Sequence, residues 1–279
     1  CSPHTLQSYK YDLNTFQSFL QDESPGISLE EALVADVRAW LYSLTESGLS
    51  ARSINRKIAS LRSFFKFVRR VDPDFTNPME NIRPMKTRQR LPEFVTEGEI
   101  VRLLENHDFE DSFAGYRDRL ILELLYGTGI RLSEMLGLTC TDISFTPGQI
   151  RVLGKRNKER IIPLPKGIIP MVTRYLEIRE NVRPSGSGDF LLITDNGNPV
   201  YPMFIYRRVK HYLSLFTTAN KNSPHVLRHT FATHLLNKGA DLNAVKDLLG
   251  HANLAATQVY THNSIEKLKS VYDKAHPKA

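Results

Sequence analysis

The chain has 279 residues, enough for two domains that each bury a core. Lys and Arg number 37 against 30 Asp and Glu, and the formal net charge of +7 favours a polyanionic partner without separating DNA, RNA and membrane surface. No apolar run approaches the ~20 residues that span a bilayer, no signal-peptide pattern opens the chain, and Cys1 and Cys140 give neither a disulfide framework nor metal spacing, so a cytoplasmic location is expected.

Residues 3–20 place Leu6, Tyr9, Leu13, Phe16 and Leu20 at helical spacing behind a Ser2-Pro3 opening. The SPGIS stretch at 24–28 is a turn. Ser28 is then expected to cap a second helix through Leu33, Val37, Leu41 and Leu44, closed by Gly48. Ser50 opens a third helix, with Ile54, Ile58, Leu61, Phe65 and Val68 on its apolar face. Its other faces carry Arg52, Arg56, Lys57, Arg62, Lys66, Arg69 and Arg70. Singly each is an ordinary solvated charge; as a group they suit a phosphate backbone. Asn77-Pro78 is expected to begin a short fourth helix that ends before Pro84. The stretch 84–95, PMKTRQRLPEFV, has two prolines and no clear period, and reads as an interdomain linker. Its cations Lys86, Arg88 and Arg90 suit the same polyanion. The expected organisation is a helical domain over 1–84, a basic linker over 85–95 and a second domain over 96–279.

Thr96-Glu-Gly-Glu99 fits a capping box. A strongly apolar helix follows over 116–126, and Gly127-Thr-Gly129 breaks it. Another helix begins near Arg131 and runs through Leu132, Met135 and Leu136 to Leu138. A glycine-rich break before a helix suggests a nucleotide phosphate loop, but the GxxxxGK[ST] pattern is missing. Residues 149–153 and 160–164 are β-like runs around GKRNKE, a hairpin with Lys155, Arg156 and Lys158 at its tip. Helical spacing returns over 168–182 and 203–216, with a strand-like run at 190–193 and a turn at 195–198 between them.

The stretch 223–263 reads SPHVLRHTFATHLLNKGADLNAVKDLLGHANLAATQVYTHN. His225 and Arg228 are three apart, so a helix sets them on one face. Gly239 ends that helix. A second apolar run through Leu242, Val245, Leu248 and Leu249 stops at Gly250, and His251 follows directly. A third helical stretch, 254–260, presents Tyr260. Arginine offers a donor fork matched to phosphate oxygens, histidine can move a proton, and a tyrosine hydroxyl is a covalent nucleophile once its proton has an acceptor. Singly, each has an ordinary role: a helix cap, a surface charge, packing. Ser264 caps a last helix with Ile265, Leu268, Val271 and Tyr272 on one face.

Taken together, His225-Val-Leu-Arg228-His229, Leu249-Gly250-His251 and Tyr260-Thr-His resemble the second signature box of the tyrosine site-specific recombinases. The surrounding words are most similar to the Xer branch. The phrase LLYGTGIRLSEMLGL resembles the family's first box: Arg131 matches its catalytic arginine, and Glu134 an acidic position that orients the arginines. VLGKRNKERIIPL resembles the family's β-hairpin, in which the lysine after glycine is catalytic, here Lys155. The resemblance implies a mainly α fold with a small β-sheet or hairpin. It would be a two-domain DNA clamp, with a helical SAM-like core-binding bundle and a tyrosine-recombinase catalytic domain.

It also implies six catalytic residues: Arg131, Lys155, His225, Arg228, His251 and Tyr260. The implied reaction cuts and rejoins double-stranded DNA through a 3′-phosphotyrosine and a Holliday junction, with no cofactor, metal or ATP. The implied tasks are chromosome-dimer resolution or integration and excision of a mobile element. The implied assembly is a homotetramer, or a heterotetramer with a related recombinase, whose tails after Tyr260 dock on neighbouring subunits. Rival readings are a zinc site, for which His225 and His229 have the spacing but Val226 stands where the base of HExxH belongs; a non-catalytic DNA-binding protein of this fold; and a type IB topoisomerase-like enzyme.

Overall fold

The computed structural model describes residues 3–87, 94–154, 157–184, 188–217, 222–250, 272 and 274–276. The chain divides into two compact units, Cys1–Arg90 and Leu91–Ala279.

The first unit is built on α1 (Pro3–Glu23), α2 (Val34–Glu46) and α3 (Ala51–Val71). Apolar residues at helical spacing turn one stripe of each helix inward, and Phe16, Leu20, Val37, Trp40, Ile54, Ile58, Leu61 and Phe65 form the core. Ser50 caps α3 as its sequence indicates, its side chain accepting from the Ser53 amide. Ser28 does not cap α2. Its amide and hydroxyl both donate to the Glu31 carboxylate, at 2.9 and 2.8 Å, which closes a local turn. The helix starts only at Val34, where Asp36 accepts from the Leu33 amide at 2.8 Å. The short helix expected after Asn77 is a turn. The Asn77 side chain accepts from the Met79 amide at 2.9 Å, and Met79 and Ile82 drop into the core.

The second unit runs α4 (Glu97–Leu104), α5 (Phe113–Thr128), α6 (Leu132–Leu136), a single 3-10 turn (Cys140–Asp142), β1 (Ile143–Ser144), β2 (Gln149–Leu153), β3 (Glu159–Pro163), α7 (Ile168–Arg179), α8 (Pro202–Phe216), α9 (Pro224–Asn237) and α10 (Leu242–Leu249). Thr96 and Glu99 form the capping box at the start of α4. Helix α5 is buried along most of its length and packs against α7 and α9. The sheet is antiparallel in the order β1-β2-β3, with Ile150 opposite Ile162 and Val152 opposite Arg160. Ile150, Val152 and Ile162 join the core from its inner face.

The run 190–193 is not a strand. Leu191, Leu192 and Ile193 are all buried, without alternation, and the chain makes only single bridges, Thr139 to Phe190 and Ile193 to Pro199. The turn that follows, closed by Thr194 donating to the Asn198 carbonyl at 2.7 Å, leaves no length for a ladder. At the end of the chain, Ile265, Leu268 and Val271 lie outside the described residues. Tyr272 is buried within its own unit. Its hydroxyl donates to the Gly127 carbonyl at 2.6 Å, and its ring stacks on His276 at 4.6 Å. The face that carries Tyr272 is expected either to dock on a neighbouring subunit or to pack on its own domain; in the single chain Tyr272 packs in the core of its own unit.

Candidate active site

Two left-handed glycines set the site. Gly129 ends α5 at φ +60°, and a Cβ there would collide with the Phe231 ring. Gly250 ends α10 at φ +63°, and a Cβ there would crowd the Arg160 guanidinium at 3.3 Å. The first turn delivers Arg131 to the N-cap of α6; the second leaves the Leu249 and Gly250 carbonyls facing the same place.

Glu134 is the hub. It accepts from the Arg131 amide at 2.7 Å and from the Arg131 guanidinium at 2.7 Å. Arg160 grips both its oxygens, at 3.0 and 2.8 Å. Burial alone would raise the Glu134 pKa. The Arg160 hydrogen bonds, the Arg131 amide, the Arg160 charge and the hydrogen bond from the Arg131 guanidinium reverse that and hold it down at about 2. Glu134 is therefore a fixed anion at neutral pH. Arg131 also donates to the Gly250 carbonyl at 3.1 Å and keeps 21 % of its side chain exposed.

Arg228 lies on α9, 8 % exposed. It donates to the Gly129 carbonyl and, at 2.7 Å, to the Leu249 carbonyl. It makes no ion pair among the described residues. Burial, and next the charge of Arg131, lower its pKa to about 10, so it remains a cation at neutral pH. Three guanidiniums thus converge around one carboxylate, and the surplus positive charge suits a phosphodiester. His225, one turn before Arg228, is exposed at the start of α9. It borders a cavity of about 520 Å³, also lined by Leu132, Tyr206, Lys210 and Asn222.

The structure therefore brings Arg131, Glu134 and Arg228 together and leaves His225 on the adjoining surface. Lys155, His251 and Tyr260 lie outside the described residues. The residues just before the first two are described: Gly154 donates to the Lys158 carbonyl at 2.8 Å, and Gly250 accepts from Arg131. Sequence reading missed Arg160. Its signal was present: on β3 it stands two residues before Ile162 and so shares that residue's inward face, where a lone charge requires a partner.

The first unit corrects one residue of the basic surface. Lys57 is 5 % exposed and donates to Asp12 at 3.1 Å and to Thr15 at 3.0 Å, near the Trp40 ring. It cannot meet a phosphate without abandoning a buried carboxylate. Arg56 also pairs with Asp12 but keeps about half its side chain exposed. Arg52 and Lys86 are exposed, and Arg88 and Arg90 lie outside the described residues. Farther along α3, Arg62, Lys66, Arg69 and Arg70 line an open cleft of about 570 Å³. Among the described residues no three His, Cys, Asp or Glu side chains gather as metal ligands, and no helix is long and apolar enough to cross a membrane.

The phage integrase family matches residues 93–267, and the N-terminal SAM-like domain of phage integrases matches residues 1–71. Tyrosine recombinase XerC of Staphylococcus carnosus is 41 % identical over 278 residues, covering 100 % of this chain and 93 % of that protein. XerC of Chlorobaculum parvum is 35 % identical, covering 100 % and 90 %. Among solved structures, the XerH site-specific recombinase bound to a palindromic difH substrate, in a post-cleavage complex, superposes with a TM-score of 0.75 at 24 % identity, over 95 % of this chain and 78 % of that one. The Tn1549 transposon integrase in complex with transposon right-end DNA gives a TM-score of 0.72 at 22 % identity, over 97 % and 94 %.

Proposed function

The chain belongs to the phage integrase family and is a tyrosine recombinase, a site-specific DNA-recombining enzyme, and on that premise we propose which of its residues break and rejoin the strand. Tyr260 is the nucleophile. Its hydroxyl oxygen attacks the scissile phosphorus, the bond to the 5′ oxygen breaks, and a 3′-phosphotyrosine forms. His225 takes the tyrosine proton, and Lys155 gives a proton to the departing 5′ oxygen. Arg131 and Arg228 hold the non-bridging oxygens as charge builds in the pentavalent transition state, and His251 adds a hydrogen bond. The phosphotyrosine conserves the energy of the broken bond, so a 5′ hydroxyl from a second duplex can reverse the step without ATP or metal.

The observation that carries this reading is the surplus of buried guanidinium around Glu134, with Arg228 held by backbone carbonyls alone among the described residues. A structural ion cluster gives each of its cations a carboxylate contact; here Arg228 has none among the described residues, and a phosphate can supply it.

Exchange between two duplexes cuts four strands, and one Tyr260 per chain then calls for four chains. The partner is double-stranded DNA, held by residues 1–84, by the linker 85–95 and by the catalytic domain 96–279. Arg52, Lys86, Arg88 and Arg90 contribute phosphate contacts, and the enzyme works in the cytoplasm on paired sites. Its task is chromosome-dimer resolution or the movement of a genetic element.

A nicked suicide substrate tests the chemistry. The wild type is expected to form a detergent-stable protein–DNA adduct, unchanged by EDTA, and Tyr260→Phe none. An adduct of equal yield in the variant would remove Tyr260 as nucleophile.

A further inference from the structure

We propose that Arg160 is a positioning residue for strand cleavage, clamping Glu134, and through it Arg131, while tying the end of α10 to the hairpin. The inference rests on the recombinase reading of Arg131 and His251 given above.

Arg160 uses its donor fork in two directions. Two guanidinium nitrogens meet Glu134, and the third donates to the Leu248 carbonyl at 2.9 Å. These partners are 26 and 88 residues away in sequence, so one side chain joins β3, α6 and α10. Arg160 also runs beside two glycines, closely at Gly250 and at ordinary contact range at Gly154. A Cβ on Gly250 would lie 3.3 Å from the guanidinium, and a Cβ on Gly154 would lie 3.5 Å from one of its nitrogens. Gly154 precedes Lys155 and Gly250 precedes His251, so Arg160 lies beside the chain just before two proposed catalytic residues and holds the carboxylate that orients a third.

Core stability does not call for this arrangement. A buried ion pair gains little over well-packed apolar side chains, because desolvation offsets the attraction. Here the same contacts fix a carboxylate against a guanidinium that must meet phosphate. Lysine could not replace Arg160: a point charge meets one oxygen of Glu134 and cannot reach Leu248 in the same plane.

The test uses the full chain on the suicide substrate at saturating protein. Arg160→Met is expected to slow adduct formation by about 100-fold, the scale on which a displaced catalytic group is felt, while DNA affinity holds. Arg160→Lys should fall between it and wild type. Without Arg160 the carboxyl of Glu134 titrates at higher pH, so the rate of Arg160→Met should fall as pH drops into the weakly acidic range. The wild-type rate should show no such loss from this group. Adding Glu134→Gln to Arg160→Met should remove that acid limb and cost little more.

A merely structural Arg160 would lower the melting temperature, leave the pH profile unaltered and give additive losses with Glu134→Gln, and that result overturns the proposal. So does a wild-type cleavage rate in Arg160→Lys and Arg160→Met. If Arg160→Met does not fold, Arg160→Lys carries the same pH and additivity measurements. Absence of any adduct from the wild type, or its persistence in Tyr260→Phe, defeats the underlying reading instead and takes the inference with it.

Discussion

Each unit of this chain holds a buried carboxylate between two cations, Asp12 in the first and Glu134 in the second, and these two clusters end differently. In the first unit Asp12 is fully buried and accepts from Arg56, Lys57 and Ser60. The Lys57 ammonium spends another proton on Thr15, so the circle closes on itself. In the second unit Glu134 accepts from Arg131 and Arg160, but Arg228 stands beside them with backbone carbonyls for partners. A buried ion cluster is thus no sign of a site in itself. The sign is a buried cation that none of the protein's carboxylates, among the described residues, contacts. Carbonyl dipoles can hold such a cation in place without cancelling its charge.

Removing the central carboxylate should expose this difference most strongly. Asp12→Asn strands the Lys57 charge in the core and should destabilise the first unit by about 3–5 kcal/mol in urea unfolding. Adding Lys57→Met should recover most of that loss. Once DNA is bound, the rate of adduct formation should not change. A slowed chemical step at saturating protein would mean that the Asp12 cluster serves catalysis after all.

Arg228→Ala tests the other side. Loss of one preorganised donor costs about 3–4 kcal/mol of transition-state stabilisation, so adduct formation should fall by roughly 10²–10³-fold. The Gly129 and Leu249 carbonyls also lose a partner, and unfolding should register a loss of about 1–3 kcal/mol. A variant that loses stability but cleaves at full rate would place Arg228 in the same class as Lys57.

The pH dependence of stability separates the clusters next. Glu134 has a folded pKa of about 2 against an ordinary value of 4.5. A depressed carboxylate contributes stability that is fully present above its unfolded pKa. That contribution is lost as pH falls from about 4.5 to about 2, and its size is at most about 3 kcal/mol. Glu134→Gln should flatten the acid limb of the second unit's unfolding curve in that window. Asp118, whose carboxyl burial pushes up, has the opposite sign and is left intact as a control. An unchanged acid limb in Glu134→Gln would mean that the carboxylate gains nothing from its arginines.

What the sequence disclosed follows the range of the forces involved. The Ser50 cap, the Thr96–Glu99 box and the Gly129 and Gly250 stops are decided within a few residues, and each was legible. Ser28 misled because its capping partner Glu31 closes a turn just as well as a helix. Lys57 and Arg160 were misjudged or missed for a common reason. Their partners lie 45, 26 and 88 residues away, and no local pattern says that a cation turns inward. Arg131, Glu134 and Arg228 were named from the words around them, and the structure supplies the carbonyls and the carboxylate that join them. Lys155, His251 and Tyr260 still rest on those words alone.

The smallest effect comes from the surface charges, and it tests the comparison at its weakest point. Lys66 and Arg70 line the open cleft on α3 and form no ion pair among the described residues. If the first unit lays this face along DNA, each neutralised charge releases one fewer counterion. Lys66→Gln and Arg70→Gln should then each flatten the slope of log affinity against log salt by about 0.9, at a cost in folding stability within about 0.5 kcal/mol. Lys57→Gln should do the reverse, lowering stability while leaving the slope alone, because its charge is already spent on Asp12. Arg56 stands between them, paired with Asp12 yet half exposed, and should give a partial change in slope. The discriminating result is the ratio of the slope changes at Lys57 and Lys66. Equal changes would require Lys57 to leave Asp12 whenever DNA binds, and the closed cluster of the first unit would then be open in use, like that of the second.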